Sequence, residues 1–408
     1  MRILFIHQNF PGQFVHLAPA LRARGHDVLA LAPSTNQRPS LVKVARYSWT
    51  PKTYDQKTFR LATAYAEMSD RGERVAEACV ELEKKTGYKP DVIFGHMGWG
   101  ETLFLKEVWP DVPLLIYGEF FYRARGLDTD FDPEFALSGF AQRLWVHSRQ
   151  AYLLHALHTA EKILVPTRFQ ADPFPAHVRE RTTVMHDGVD TDAIRPAAEM
   201  SIEIPGTSLS FKRGDEVVTF INRNLEPYRG YHIFMRALPA ILKARPNAHV
   251  VIIGDSGNSY GLRPTGPKSW KEIFLDEVKD QLDLSRVHFV GRVPYATFVA
   301  LMQVTRVHAY LTYPFVLSWS MLEAMSAGAL VIGSKTAPVE EVIRDGENGL
   351  LVDFFDVAAW SNTIIEALAN PKRYDGMREN ARATIVSKYD LRSICLPQHI
   401  AFVEGAVT

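Results

Sequence analysis

Short apolar runs alternate with longer stretches of helical spacing, and the alternation runs through the chain twice. The first series comprises Ile3–Ile6, Val28–Leu31, Asp91–Gly95, Pro113–Tyr117 and Lys162–Pro166. The second begins after residue 200 with Glu216–Ile221, His249–Gly254, Val287–Gly291, Val307–Leu311, Leu330–Gly333 and Gly349–Val352. Strand–helix–strand repetition predicts parallel sheets with helices on both faces, because parallel strands need long crossovers that cover the sheet. At 408 residues the chain has room for two such domains. The expected fold is therefore α/β, with two Rossmann-like doubly wound domains facing across a cleft. The turn-rich stretch from Asp187-Gly188-Val189-Asp190 through Pro196 and Pro205-Gly206 marks the expected boundary. It divides the chain into residues 1–196 and 197–390, leaving 391–408 as a terminal helix free to pack on either domain. Within the first helical pattern Pro19 is expected in the first turn or at a kink, and Gly25 as the stop.

Composition removes several function classes. Lys plus Arg (46) balance Asp plus Glu (46), which gives no sign of a nucleic-acid binder driven by bulk charge. Only Cys79 and Cys395 are present, far apart and without C-x-x-C spacing, so neither a disulfide framework nor a cysteine-ligated metal is expected. No run approaches the roughly 18 apolar residues of a spanning helix, and MRILFIHQNF reads as a buried strand, not a signal peptide. A cytoplasmic protein is expected, with at most peripheral contact at the inner face of a membrane.

Ligands of doubly wound folds bind at the carboxyl ends of the strands, so the loops there carry the candidates. Gln8-Asn9-Phe10-Pro11-Gly12-Gln13 follows the first strand; Gly12 would let backbone N–H groups approach an anion, or simply form a turn. Asn222-Arg223-Asn224-Leu225-Glu226-Pro227-Tyr228-Arg229-Gly230 places two arginines at a strand end and a helix start. That arrangement suits a diphosphate, the alternative being surface ion pairs. Tyr313 to Met325 joins a strand to a short helix. Its Glu323 could accept a pair of sugar hydroxyls, or close a capping box with Ser320. His96, at the end of Asp91–Gly95, is either a site histidine or a structural one. Asp128-Thr129-Asp130 has the spelling of a metal-binding loop, but its polar surroundings read as a solvated loop or acceptor contact, and no metal site is expected.

Residues 313–349 resemble the donor-binding half of family 4 retaining glycosyltransferases, which have the GT-B fold. The resemblance rests on Leu322-Glu323-Ala324-Met325-Ser326-Ala327-Gly328, Val331–Gly333, Glu341-Val342-Ile343 and Asp345-Gly346-Glu347-Asn348-Gly349-Leu350. Gly188-Val189-Asp190 resembles the interdomain signature of that family, and Leu17–Val28 its first helix and second strand.

The resemblance implies a set of roles. Glu323 takes the place of the second glutamate of the E-x7-E motif, on the donor ribose. Phe315 stands where the first glutamate would contact the transferred sugar, so that contact is absent. Val316, Leu317 and Ser318 are expected to offer backbone N–H groups to the sugar. Arg223 and Arg229 correspond to the Arg and Lys on the donor diphosphate, with one residue more between them than usual, and Gly12 and Gln13 lie in the loop expected to help them. Gly254-Asp255 and Arg292-Val293 border the nucleotide. Glu119 stands where a histidine usually ends the strand, either orienting an acceptor hydroxyl or stabilising charge on the sugar, or else pairing with Arg123 or Arg125. The implied activity is metal-independent, retaining transfer of a sugar from a nucleotide diphosphate sugar (a UDP- or GDP-sugar) to a hydroxyl. The acceptor would be a saccharide, a lipid-linked glycan or a small molecule, and no cofactor is implied. The alternatives are a nucleotide-sugar-binding protein without turnover and, further off, a phosphorylase of the same fold.

Overall fold

The computed structural model describes residues 1–55, 60–137, 139–204 and 207–407. The expected Pro205-Gly206 turn lies outside the described residues. The chain forms two compact units. The first comprises Met1–Asp130, Leu137–Gly188 and Arg392–Thr408, and the second Phe131–Ala136 and Val189–Leu391.

The first unit is built on a seven-stranded parallel sheet: β1 (Arg2–Ile6), β2 (Asp27–Pro33), β3 (Lys43–Tyr47), β4 (Val92–His96), β5 (Leu114–Tyr117), β6 (Lys162–Val165) and β7 (Thr182–Val184). The spatial order is β3-β2-β1-β4-β5-β6-β7, all pairs parallel. The central strands are buried on both faces, as their continuous apolar runs require. β3 and β7, which the apolar pattern did not signal, are the two edges. Their polar residues (KVARY and TTV) suit strands with one unpaired side. Pro19 is the third residue of the helix Leu17–Ala23, where an N–H would lack an intrahelical partner anyway. The tail forms a π-turn at Leu391–Cys395 and the helix Leu396–Glu404, whose Val403 joins the core with Phe14, Leu17 and Leu21. Glu404 completes the docking, accepting from Arg24 Nε at 2.8 Å and lying 2.9 Å from His26 Nε2.

The second unit opens with an antiparallel hairpin, β8 (Ser201–Glu203) and β9 (Ser210–Lys212), and then repeats the parallel plan. Its strands are β10 (Val217–Asn224), β11 (His249–Asp255), β12 (Val287–Gly291), β13 (Val307–Tyr310), β14 (Leu330–Ser334) and β15 (Leu350–Val352), in the order β12-β11-β10-β13-β14-β15. The β10–β11 register slips between Ile221 and Asn224, the kind of irregularity that bends a strand end and re-aims its side chains. Strand order reverses between β1 and β4 in one unit and between β10 and β13 in the other. Those crevices are where doubly wound sheets take ligands. Both cysteines are buried.

Candidate functional site

Each unit presents one polar cluster at its reversal point. In the first, β1 delivers His7, 1% exposed, into the loop that Gly12 and Gln13 close. Gly12 has φ +48°, and a Cβ there would sit 2.7 Å from His7 Cε1, so the loop lies against the imidazole only because this residue is glycine. The backbone N–H of Asn9 donates to His7 Nδ1 at 2.9 Å, which puts the ring proton on Nε2. Nε2 therefore donates to Gln13 Oε1 at 2.8 Å, leaving the Gln13 amide to donate to Glu119 Oε1 at 3.2 Å. Burial, and next the neighbouring His96, hold the His7 pKa well below the ordinary histidine value, so the ring stays neutral.

His96, at the end of β4, is fixed in the same way. Gly98 N–H donates to its Nδ1 at 2.9 Å, so the proton is on Nε2, 3.5 Å from Glu119 Oε2. That fully buried Nε2 makes no hydrogen bond among the described residues. Trp99 stacks on the ring at 4.0 Å, and Tyr117 lies parallel at 5.7 Å. Glu119 thus has Gln13 and His96 at its two oxygens, and Gln170 Nε2 donates to its backbone carbonyl. Arg123, one of the two partners (with Arg125) expected for Glu119 in the alternative reading, donates to Pro173 O at 2.5 Å.

Behind this cluster lies a buried charge network. Arg71 donates to Gln8 Oε1 (2.7 Å) and Tyr47 Oη (3.0 Å), and stands 3.8 Å from Glu101, to which Tyr47 donates at 2.5 Å. The Asp128-Thr129-Asp130 stretch corrects an expectation: Asp128 and Thr129 are buried, not solvated. Thr129 Oγ1 donates to Arg123 O at 2.7 Å and Asp130 accepts from Gly126 N, so these side chains shape a turn. Among the described residues no group of three or more His, Cys, Asp or Glu is placed to hold a metal ion.

In the second unit Arg229 is the centre. It is 7% exposed and forms no ion pair among the described residues. Its Nη1 donates to Thr312 Oγ1 and Val316 O, both at 2.8 Å, while its Nε and Nη2 donate to nothing described. The rings of Tyr260 and Phe315 flank the guanidinium at 5.4 and 5.5 Å. Phe315 is buried against Tyr260 (4.7 Å) and Tyr228 (5.4 Å), an aromatic wall with no carboxylate in it. The backbone N–H groups of Val316 and Leu317 donate to nothing among the described residues. That of Ser318 does not fit its expected role: it donates to Tyr310 Oη at 2.7 Å, and the Ser318 side chain caps the helix Trp319–Ala327.

Other expected members are more dispersed. Arg223, on the irregular end of β10, is exposed and in no ion pair among the described residues. Asp255 and Arg292 pair with each other at 2.5 Å, and Val293 packs against the hydrophobic core of the unit. Gly254 is a close approach, since a Cβ there would meet Leu225 at 2.8 Å and Asn222 O at 2.9 Å. Glu323 closes no capping box. It accepts from Tyr295 Oη at 2.7 Å, and burial raises its pKa above the usual carboxylate value despite that bond.

Sequence reasoning did not single out Glu226, Thr312, Tyr260 or His7. Glu226 is buried and accepts from the backbone N–H groups of Ser259 (2.9 Å) and Tyr260 (3.1 Å), tying down the loop that carries Tyr260. Burial pushes its pKa up to about 7, the two amides and Arg229 pulling the other way. A carboxyl whose pKa rises on folding favours the fold at low pH, and loses that favour as pH climbs from its unfolded value through about 7. Glu226→Gln should therefore melt near the wild type at pH 5 and about 3 °C above it at pH 8. A difference in melting temperature that stays constant between those pH values would refute the assignment.

Residues 24–194 match the family model described as Glycosyl transferase family 4 group, and residues 207–384 the one described as Glycosyl transferases group 1. Among curated proteins, the D-inositol 3-phosphate glycosyltransferase of Corynebacterium efficiens is 23% identical over 333 residues, covering 78% of this chain and 72% of that protein. The protein of the same name from Corynebacterium glutamicum is 21% identical over 289 residues, 70% of this chain and 64% of its own length. Among solved structures, Anabaena HepE in complex with UDP-glucose superposes with a TM-score of 0.67 at 17% identity over 100% of both chains. Sucrose-phosphate synthase from Thermosynechococcus elongatus gives 0.73 at 18% identity over 99% of this chain and 98% of that one. At these identities the structural likeness speaks for the fold alone.

Proposed function

Because this chain belongs to the family 4-type glycosyltransferases, with the GT-B fold, we propose that it takes its sugar from a nucleoside diphosphate held by the second unit. The observation that carries this reading is Arg229, a buried guanidinium with no carboxylate partner among the described residues and two nitrogens uncommitted. A buried cation is costly unless an anion meets it, and a diphosphate offers oxygens that match its donors. The uncommitted amides of Val316 and Leu317, anchored to Arg229 through Val316 O, add neutral donors for the sugar. Glu323, with Tyr295 at one oxygen, keeps its other oxygen for a ribose hydroxyl pair. Exposed Arg223 is a second cation for the diphosphate.

The reaction we propose uses those groups, with retention taken from the family resemblance. The bond from the anomeric carbon to the phosphate oxygen breaks, and its electron pair leaves with the nucleoside diphosphate, where Arg229 and the amides meet the growing charge. An acceptor hydroxyl forms the new bond on the same face and gives its proton to the departing phosphate, so that configuration is retained. No divalent ion is assigned a step. In the first unit Glu119, held by Gln13 and facing the Nε2–H of His96, serves the acceptor hydroxyl or the positive charge on the sugar. Uridine is the first base to test, since HepE was solved with UDP-glucose. The acceptor is a polyol or saccharide hydroxyl, in keeping with the inositol phosphate in the names of the Corynebacterium relatives. Among the described residues no helix is long and apolar enough to cross a membrane.

The test is thermal unfolding with UDP, GDP and ADP and their glucose conjugates, with and without EDTA. A ligand that binds only the folded state at about 100 times its Kd stabilises by about 2.7 kcal/mol. We expect one nucleotide to raise the melting temperature equally in EDTA, and its sugar conjugate to be turned over to a product with the donor's anomeric configuration. A chain indifferent to every nucleotide would refute the donor reading, and an inverted product would refute retention.

A further inference from the structure

The second unit contains six residues that the chain contributes out of turn. After β5 the chain leaves the first unit at Asp130, adds Phe131–Ala136 to the second, and returns at Leu137. Two aromatic anchors seat this segment. Phe131 packs on Tyr313, Phe354 and Phe355, with ring centroids 5.1 to 5.2 Å away, and Phe135 on His232 and Trp270 at 5.3 and 5.2 Å. Glu134 forms a two-pronged pair with Arg236 at 2.8 and 3.0 Å, and Arg236 also holds Glu277. Between the anchors Asp132 is 2% exposed. Its Oδ2 accepts from Tyr313 Oη at 2.6 Å and lies 3.0 Å from His232 Nε2, while its Oδ1 accepts from Glu134 N at 2.9 Å.

Tyr313 lies in the loop after β13, two residues before Phe315 and ahead of Val316 and Leu317. Its own N–H donates to Tyr228 O at 3.0 Å, and its ring lies 4.7 Å from that of Tyr228. The far end of the loop is fixed by Ser318 N–H on Tyr310 Oη. The uncommitted amides of Val316 and Leu317 therefore lie between Tyr313 and Ser318, with Val316 O also held by Arg229, and the Tyr313 point depends on a carboxylate from the inserted segment. A phenol oxygen this deeply buried needs an acceptor, and an ionised one makes the stronger bond.

We propose that Asp132 is a positioning residue of the donor site: through Tyr313 it sets the 313–318 loop so that the Val316 and Leu317 amides meet the transferred sugar. The proposal rests on the donor reading of the second unit. Burial pushes the Asp132 pKa up, but the Tyr313 hydroxyl and the nearby His232 ring together hold it below its usual value, consistent with a carboxylate that remains charged as it holds the loop.

Titration calorimetry on the full chain separates this role from a merely structural one. The loop amides address the sugar, whereas Arg229 addresses the diphosphate, so the two probes are UDP and UDP-glucose. Tyr313→Phe, which removes one oxygen from the core, should weaken UDP-glucose about tenfold and leave UDP within about twofold of wild type. Asp132→Asn should do the same, and Tyr313→Phe decides alone if the asparagine variant does not fold. Equal weakening of both ligands, or no change in either, overturns the proposal while leaving the donor reading in place. A wild type that binds neither these nor GDP, ADP and their glucose conjugates refutes that reading and this proposal together; if another base binds, its diphosphate and glucose conjugate are the probes.

Discussion

Arg229→Ala is expected to remove stabilisation by the nucleoside diphosphate and to lower sugar transfer by two to three orders of magnitude, about what a lost preorganised donor to a developing anion costs. The geometry makes the effect large for two reasons. Arg229 is a buried cation with uncommitted donors, and its Nη1 bonds set the carbonyl of Val316, whose amide stands beside Leu317 in the same loop. Alanine therefore removes the charge and loosens the loop together. Arg229→Lys keeps the charge but cannot reach Thr312 and Val316 with one planar group while presenting further donors, so an intermediate loss is expected. Initial rates and nucleotide-induced melting shifts on the same preparations decide the matter. An alanine variant that melts higher with the nucleotide by as much as the wild type would remove Arg229 from the donor site.

The second large effect concerns stability. Arg71→Ala leaves Glu101 fully buried with Tyr47 as its hydrogen-bond donor and no guanidinium nearby. Breaking a buried charge pair by deleting one partner costs about 3–5 kcal/mol, and in a unit of this size that lowers the melting temperature by about 10 °C. Loss of the Arg71 bond to Gln8 should also loosen the loop leading to Gly12 and Gln13. Glu101→Gln retains an acceptor for Tyr47 but strands the Arg71 charge, so it too should destabilise. A calorimetric melting point for Arg71→Ala within about 2 °C of wild type would show that the pair contributes little.

The doubly wound plan was legible because buried parallel strands are apolar on both faces: Ile3–Ile6 and Leu330–Gly333 announce themselves whatever surrounds them. The edge strands Lys43–Tyr47 and Thr182–Val184 were not legible, because an edge carries polar residues and its pairing comes from a neighbour distant in sequence. The candidate site divides in a similar way. Arg229, Glu119 and Gly12 follow strand ends, where position alone draws attention. Glu226 and Tyr260 act through a loop-to-loop contact across about thirty residues of sequence, and no local spacing encodes that meeting. Asp132 was the least accessible, lying in a polar run that reads as ordinary loop until the fold places it under Tyr313. Asp128, four residues earlier in the same run, looked solvated for the same reason and is buried.

The division of the chain has a practical corollary for making hybrid enzymes. The backbone changes unit at four places, near residues 130, 136, 188 and 391, so a single splice at the linker does not exchange a complete half. A graft of residues 189–391 onto a foreign amino-terminal half would arrive without Phe131, Asp132 and Phe135, leaving the Tyr313 hydroxyl without its carboxylate and aromatic rings without their cover. Transplanting the second unit intact means carrying that hexapeptide with it.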